Sequence, residues 1–153
     1  MRNWKIRIIA ALALLIIALS CCVSCNKNEG EKVETYNENG ETVIAAEGLW
    51  KTATHRKNVT VGEGSKEVKI AVEVNGQGIT ITVKTDAAKL GDALYAENLI
   101  NDPTFFNTLN GIKADWDKDQ AYWAFYQGEE YMMVGVNDTA ISGGESYRFV
   151  YTK

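Results

Sequence analysis

Beyond residue 25 the chain has no cysteine; Cys21, Cys22 and Cys25 fall in one short window. A disulfide framework is therefore excluded from the folded part. Histidine is almost as scarce. His55 is the only one, so a zinc site would have to be built from one imidazole and carboxylates, an uncommon set. It lies in HRK, with no nucleophile motif such as G-x-S-x-G beside it, and reads as a solvated surface residue. No phosphate loop, dinucleotide fingerprint, CxxC or HExxH motif is present. No catalytic residues are identified, an enzyme is not expected, and no cofactor is implied. Basic charge is scarce as well. Without Arg2, Lys5 and Arg7, which lie in a leader, 13 basic groups face 20 acidic ones, a net of −7. Such a body is a poor nucleic-acid partner, because phosphate contacts need clustered Lys and Arg. Anionic lipid heads would repel it too, so surface charge is not what holds it to a membrane.

What the amino terminus does contain is an address. MRNWKIR is a basic n-region and IIAALALLIIAL an apolar core, too short to span a bilayer comfortably, since a spanning helix needs about 20 apolar residues. The run ends in SCCVSC, without an A-x-A cleavage site. Small and apolar residues leading into cysteine resemble the bacterial lipobox. Cys21, preceded by Ala18, Leu19 and Ser20, fits as the lipidated residue, with Cys25 as the alternative. The expectation is a signal peptide over residues 1–20 and a protein tethered to the outer face of a bacterial cell membrane. A multiply acylated terminus meets the requirement for two anchoring signals.

Residues 21–64 then read as the lipidated cysteine region and a flexible acidic linker, its first part too polar to fold alone. Within it, Thr42 to Ala46 and Asn58 to Val61 are short strands or the start of the domain. Trp50 is expected to pack on the domain edge, the alternative being a loose aromatic near a ligand.

From residue 65 to 153 the patterning is that of a compact domain. Val68, Ile70, Val72 and Val74 alternate with Glu67, Lys69, Ala71 and Glu73, and Ile79, Ile81 and Val83 repeat the period. Asn75-Gly76 between them supplies positive-φ turn chemistry, so the two runs form a hairpin. A helix through AAKLGDALYAEN follows, capped by Thr85 or Asp86, with Leu90, Ala93 and Leu94 on one stripe. Gly91 weakens it by about 1 kcal/mol relative to alanine, and Asn101-Asp102-Pro103 stops it. TFFNTLNGI reads as a strand ended by the Asn110-Gly111 turn. Tyr122 to Gln127 is a strand, Gly128-Glu129 turns it, Tyr131 to Val134 returns, and SYRFVYT closes the sheet. Hairpin, helix, then further strands is an α+β arrangement, a β-grasp-like mixed sheet crossed by one helix.

LGDAL after a hairpin, then FFNTLNGIKADWDKDQAYWAFYQGEEY, then GVNDTAISGGESYRFVY resemble the transcobalamin-like C-terminal domain, whose bacterial members are often exported lipoproteins or surface proteins. The resemblance runs from Glu67 to the end and rests on order and spacing. It implies a β-grasp fold and, as in the animal cobalamin carriers, one wall of a corrinoid pocket, the other wall there being a large helical domain.

The candidate contact residues are Trp116, Tyr122, Tyr126 and Tyr131, aromatics beside polar turns that can stack on a flat ligand, a sugar face or a partner. Trp123 and Phe125, on the alternate positions, are expected to fill the core, with at least one of Met132 and Met133. Asp115, Asp117 and Asp119 resemble the start of a calcium loop, but Gln120 stands where glycine is needed and Tyr126 where the bidentate glutamate is needed. No metal is expected there. The function expected is a non-catalytic binding or adhesion module for a corrinoid-like small molecule or a glycan. The alternative is an interaction subunit of a cell-surface complex, pairing through a sheet edge.

Overall fold

The computed structural model describes residues 34–36 and 40–153. The expected signal peptide and the lipidation candidates Cys21 and Cys25 lie outside the described residues. A small antiparallel pair, β1 (Glu34–Tyr36) and β2 (Thr42–Ile44), comes first. A 3-10 turn (Gly48–Thr52) and β3 (Val59–Gly62) follow, then the long hairpin β4 (Lys66–Val74) and β5 (Gln77–Thr85). Helix α1 (Leu90–Ala96), the two-residue strands β6 (Thr108–Leu109) and β7 (Ile112–Lys113) and helix α2 (Trp116–Asp119) lead to β8 (Tyr122–Gln127), β9 (Glu130–Tyr131) and β10 (Ser146–Thr152).

Six strands form one mixed sheet in the order β3-β5-β4-β10-β8-β9. β3 runs parallel to β5 and β10 parallel to β4, and the other pairs are antiparallel. The hairpin forms as its alternation dictates: Val68, Ile70 and Val72 stand opposite Val83, Ile81 and Ile79, all buried. Asn75 and Gly76 both take positive φ (52° and 76°), the geometry of a two-residue turn whose twist matches its strands. β10 enters the middle of the sheet and buries Tyr147 and Phe149 beside that apolar face. The Phe125 ring lies 4.7 Å from that of Phe149 with the planes 5° apart.

Leu90, Ala93 and Leu94 of α1 are buried in the core, with Leu109 of β6, Ile112 of β7, and Leu99, Ile100, Val136 and Ile141 from the connecting segments. The helix differs from its expected limits. It starts at Leu90 with Lys89 at the cap position and ends at Ala96. Thr85 and Asp86 are used elsewhere: Thr85 Oγ1 accepts from Ala87 N–H, and Asp86 accepts from the backbone and hydroxyl of Ser65. Asn98, at φ 54°, turns the chain before the expected Asn101–Pro103 stop. Gly91 has a packing reason, since a Cβ there would stand 2.6 Å from the Pro103 carbonyl oxygen.

Upstream of residue 65 the fold is already in place. β3 pairs with β5 at the sheet edge, and Ile44 and Trp50 are buried in the core. Asn110-Gly111 is the tip of the β6–β7 hairpin, outside the main sheet, instead of the end of a strand within it. Asn110 is fully buried, and its side chain accepts from His55 N–H and donates to the His55 carbonyl. That bond pair holds the segment containing His55 against the domain, so His55 is half-buried and not a free surface residue.

Candidate functional site

β8 is the strand on which the surface chemistry is built. Its odd positions, Trp123 and Phe125, turn toward the core, and Tyr126 shares the other face with Arg148 and Tyr131, its register partners. Before β8 the chain makes the short helix α2. Asp115 caps it by accepting from Lys118 N–H, and its other oxygen accepts from Lys113 Nζ at 2.8 Å. The Lys113 ammonium and that N–H hold the Asp115 carboxyl below its ordinary value. The result presents Trp116, 62% exposed, edge-on to Tyr122 with ring centroids 6.2 Å apart. A second turn is set by Asp102, whose Oδ1 accepts from Thr104 and Phe105 N–H and whose carboxyl is held low by those two bonds, Phe105's first. It leaves Phe105 87% exposed. After β9 the chain leaves the sheet at Met132, and Met133 and Val134 are exposed.

These pieces border one open groove of about 620 Å³. It is lined by the Thr104–Asn107 turn, by Lys113–Asp117, by Ala121, Tyr122, Trp123 and Phe125 of β8 and its approach, and by Tyr131, Met132 and Val134–Val136. Of the large apolar side chains exposed among the described residues, Phe105, Trp116, Tyr122, Tyr131 and Val134 line it, Met133 stands between two lining residues, and Tyr95 lies apart. A cluster of this kind on one concave surface marks an interaction site. Its charged lining residues are Lys113, Asp115 and Asp117, of which the first two are paired, so it carries a small negative excess.

Three of the four aromatics singled out from the sequence, Trp116, Tyr122 and Tyr131, meet at this groove; Tyr126 does not line it. Tyr126 is half-buried under the Arg148 guanidinium, 4.5 Å from its ring centroid, and edge-on to Tyr131 at 5.4 Å. Trp123 and Phe125 are buried, and one side of each still borders the groove. Phe105 was missed, because FF before NTLNG reads as strand. The Asp102 cap that ends in an exposed aromatic is the signal that points to it. The three aspartates are divided among other tasks: Asp115 caps and pairs, Asp119 faces Lys153 at 3.7 Å, and Asp117 lines the groove. Among the described residues no group of three or more metal-ligating side chains stands together.

No family profile matches the chain, and no curated protein matches it. Among solved structures the fold is similar to the crystal structure of a "putative metal binding protein" from Ruminococcus gnavus ATCC 29149, at a TM-score of 0.54 and 24% identity over 58% of this chain and 98% of that one. A second neighbour is haptocorrin in complex with Cbi, at a TM-score of 0.45 and 16% identity over 61% of this chain and 26% of that one, a likeness too slight to carry an argument. At such identities only the fold is shared. The Ruminococcus gnavus structure, spanned almost from end to end, shows that this mixed sheet with its short helices is a fold that other chains adopt.

Proposed function

We propose that this chain is a non-catalytic binding module, lipid-anchored at the outer face of a bacterial cell membrane, whose groove takes a flat small molecule of corrinoid-like character or a glycan. The observation that carries the reading is the gathering of exposed Phe105, Trp116, Tyr122 and Tyr131 around one concavity. Aromatic faces supply large contact area at low entropic cost and stack on flat rings or sugar faces. Anchoring rests on the leader, with its basic start, short apolar run and Cys21 or Cys25. Lys113 and Asp115 pair with one another and Asp115 caps its turn, so these charged groups hold the shape of the groove, in keeping with a binding surface. The metal binding for which the Ruminococcus gnavus protein is named is not carried over, since the aspartates here are separated by the tasks described.

Calorimetric titration of residues 26–153 with corrinoids, then with a glycan panel, tests the reading. Saturation at one equivalent, abolished in Trp116→Ala, is expected; silence across both sets overturns it. Fatty-acid labelling in cells tests the anchor, with label expected to be lost in Cys21→Ala. Loss only in Cys25→Ala moves the site, and label retained in both variants removes the anchor.

A further inference from the structure

The backbone of Trp123 faces the groove without a protein hydrogen bond among the described residues. Hydrogen-bonding direction alternates along β8, and two observations set its phase. Lys69 N–H bonds the Glu145 carbonyl, so the odd residues of β10 turn their backbone groups toward β4 and the even ones toward β8. Arg148, Val150 and Thr152 therefore bond Tyr126, Ala124 and Tyr122, their register partners. On the other side, the Phe125 carbonyl accepts from Met132 N–H at 2.9 Å, so the odd residues of β8 turn outward. Ala121 N–H is met there by the Asp115 carbonyl. Trp123, between these two bonded positions, directs its N–H and its C=O outward, and neither has a protein hydrogen-bond partner among the described residues. Its indole Nε1 is also buried without a partner, on a residue only 9% exposed. An unmet buried side-chain donor such as this indole N–H costs about 1–3 kcal/mol, and such groups in native proteins call for an explanation.

The opening has a definite chemistry. The Asp115 and Met132 segments close the sheet edge on either side of Trp123, so a continuing strand has no room to extend along β8. What fits is one compact group offering an acceptor and a donor side by side. We infer that the groove recognises a carboxamide, its C=O accepting from Trp123 N–H and its N–H donating to the Trp123 carbonyl, with the apolar body that carries it lying among Trp116, Tyr122 and Phe105. A carboxylate or an ester has no N–H for the Trp123 carbonyl, and the negative excess left by Asp117 disfavours a carboxylate further. The inference rests on the reading of this groove as a ligand site and adds the functional group it selects.

The test uses full-length ¹⁵N-labelled protein in detergent micelles and a matched probe set: 2-naphthamide, its N,N-dimethyl amide, methyl 2-naphthoate and 2-naphthoate. The same flat body appears in all four, and only the first presents donor and acceptor together. Expected are saturable binding of 2-naphthamide with a downfield shift of the Trp123 backbone amide, and about tenfold weaker binding of the other three, the equivalent of one lost hydrogen bond. Equal affinity across the set, or a Trp123 amide that does not move, overturns the carboxamide slot and leaves the aromatic groove standing. No binding by any naphthalene overturns both. A parallel titration with N-acetylphenylalanine amide separates sources. Tighter binding than 2-naphthamide assigns the carboxamide to a peptide, and weaker binding assigns it to a small molecule.

Discussion

The guanidinium of Arg148 lies 4.5 Å above the ring of Tyr126, its cross-strand partner, while one of its nitrogens reaches Glu73 at 3.4 Å. The contact ties β8, β10 and β4 together on the open face of the sheet. It also occupies an aromatic that, from the sequence, belonged with the contact residues.

Tyr126→Ala is accordingly expected to leave groove ligands bound within a factor of two or so while lowering stability by about 1 kcal/mol, the scale of a partly exposed cation–π pair. Chemical denaturation beside a binding titration checks both. A loss of binding with unchanged stability would return Tyr126 to the site.

Trp116 and Trp50 should behave oppositely. Trp116→Ala removes an exposed side chain and should move stability by no more than about 0.5 kcal/mol. Trp50→Ala opens the core and should cost about 3–5 kcal/mol. Thermal melts of the two variants decide this. A mild Trp50 variant would mean that the segment before β3 contributes little to the fold.

Gly91→Ala separates local propensity from packing. By helix propensity alone alanine gains about 1 kcal/mol. Here the added methyl meets the Pro103 carbonyl and the Asn137 backbone, and overpacking costs about 1–3 kcal/mol. Net destabilisation is expected in a urea titration; a stabilised variant would show that the Pro103 turn gives way freely.

Acid should loosen the groove turns. The carboxyls of Asp102 and Asp115 are depressed, by backbone N–H groups at Asp102 and chiefly by Lys113 at Asp115. A depressed carboxyl contributes stability that is fully present above its ordinary value and lost as pH falls through its lower folded value. Tryptophan fluorescence and near-ultraviolet dichroism should therefore hold constant from about pH 8 to pH 5 and change below the ordinary carboxylate range. In Asp102→Asn that acid-side change should shrink. An unaltered profile would mean that the Asp102 cap does not set the turn.

Much of the architecture is determined by local pattern. The alternation of Val68 to Val74 against Ile79 to Val83, with Asn75-Gly76 between, admits one register, because a slip of one residue would carry every valine to the wrong face. The aromatic run of β8 and the closing strand β10 are equally readable. Helix α1 was legible only in its buried stripe. Its start depended on Thr85 and Asp86 being claimed by neighbours that only the fold brings near. The same holds for Asn110, a turn residue by sequence whose side chain completes the backbone of His55, 55 positions away.

The site divides along the same line. That Trp116 and Tyr122 were candidates for a contact surface was legible from their place beside polar turns. Which of the aromatics share a surface was not, because that depends on where the chain leaves β9 and on the Asp102 turn that brings Phe105 into the same rim. By itself the sequence determined the β4–β5 hairpin with its register, the strands β8 and β10 and the type of side chain at the edge, since these depend on period and turn chemistry within a few residues. Only the tertiary structure decided that β10 enters the middle of the sheet, that Tyr126 lies under Arg148, and that the Trp123 backbone, between the bonds of Asp115 and Met132, has no protein partner among the described residues. Each of these is a contact between segments far apart in the chain, and no local pattern encodes it.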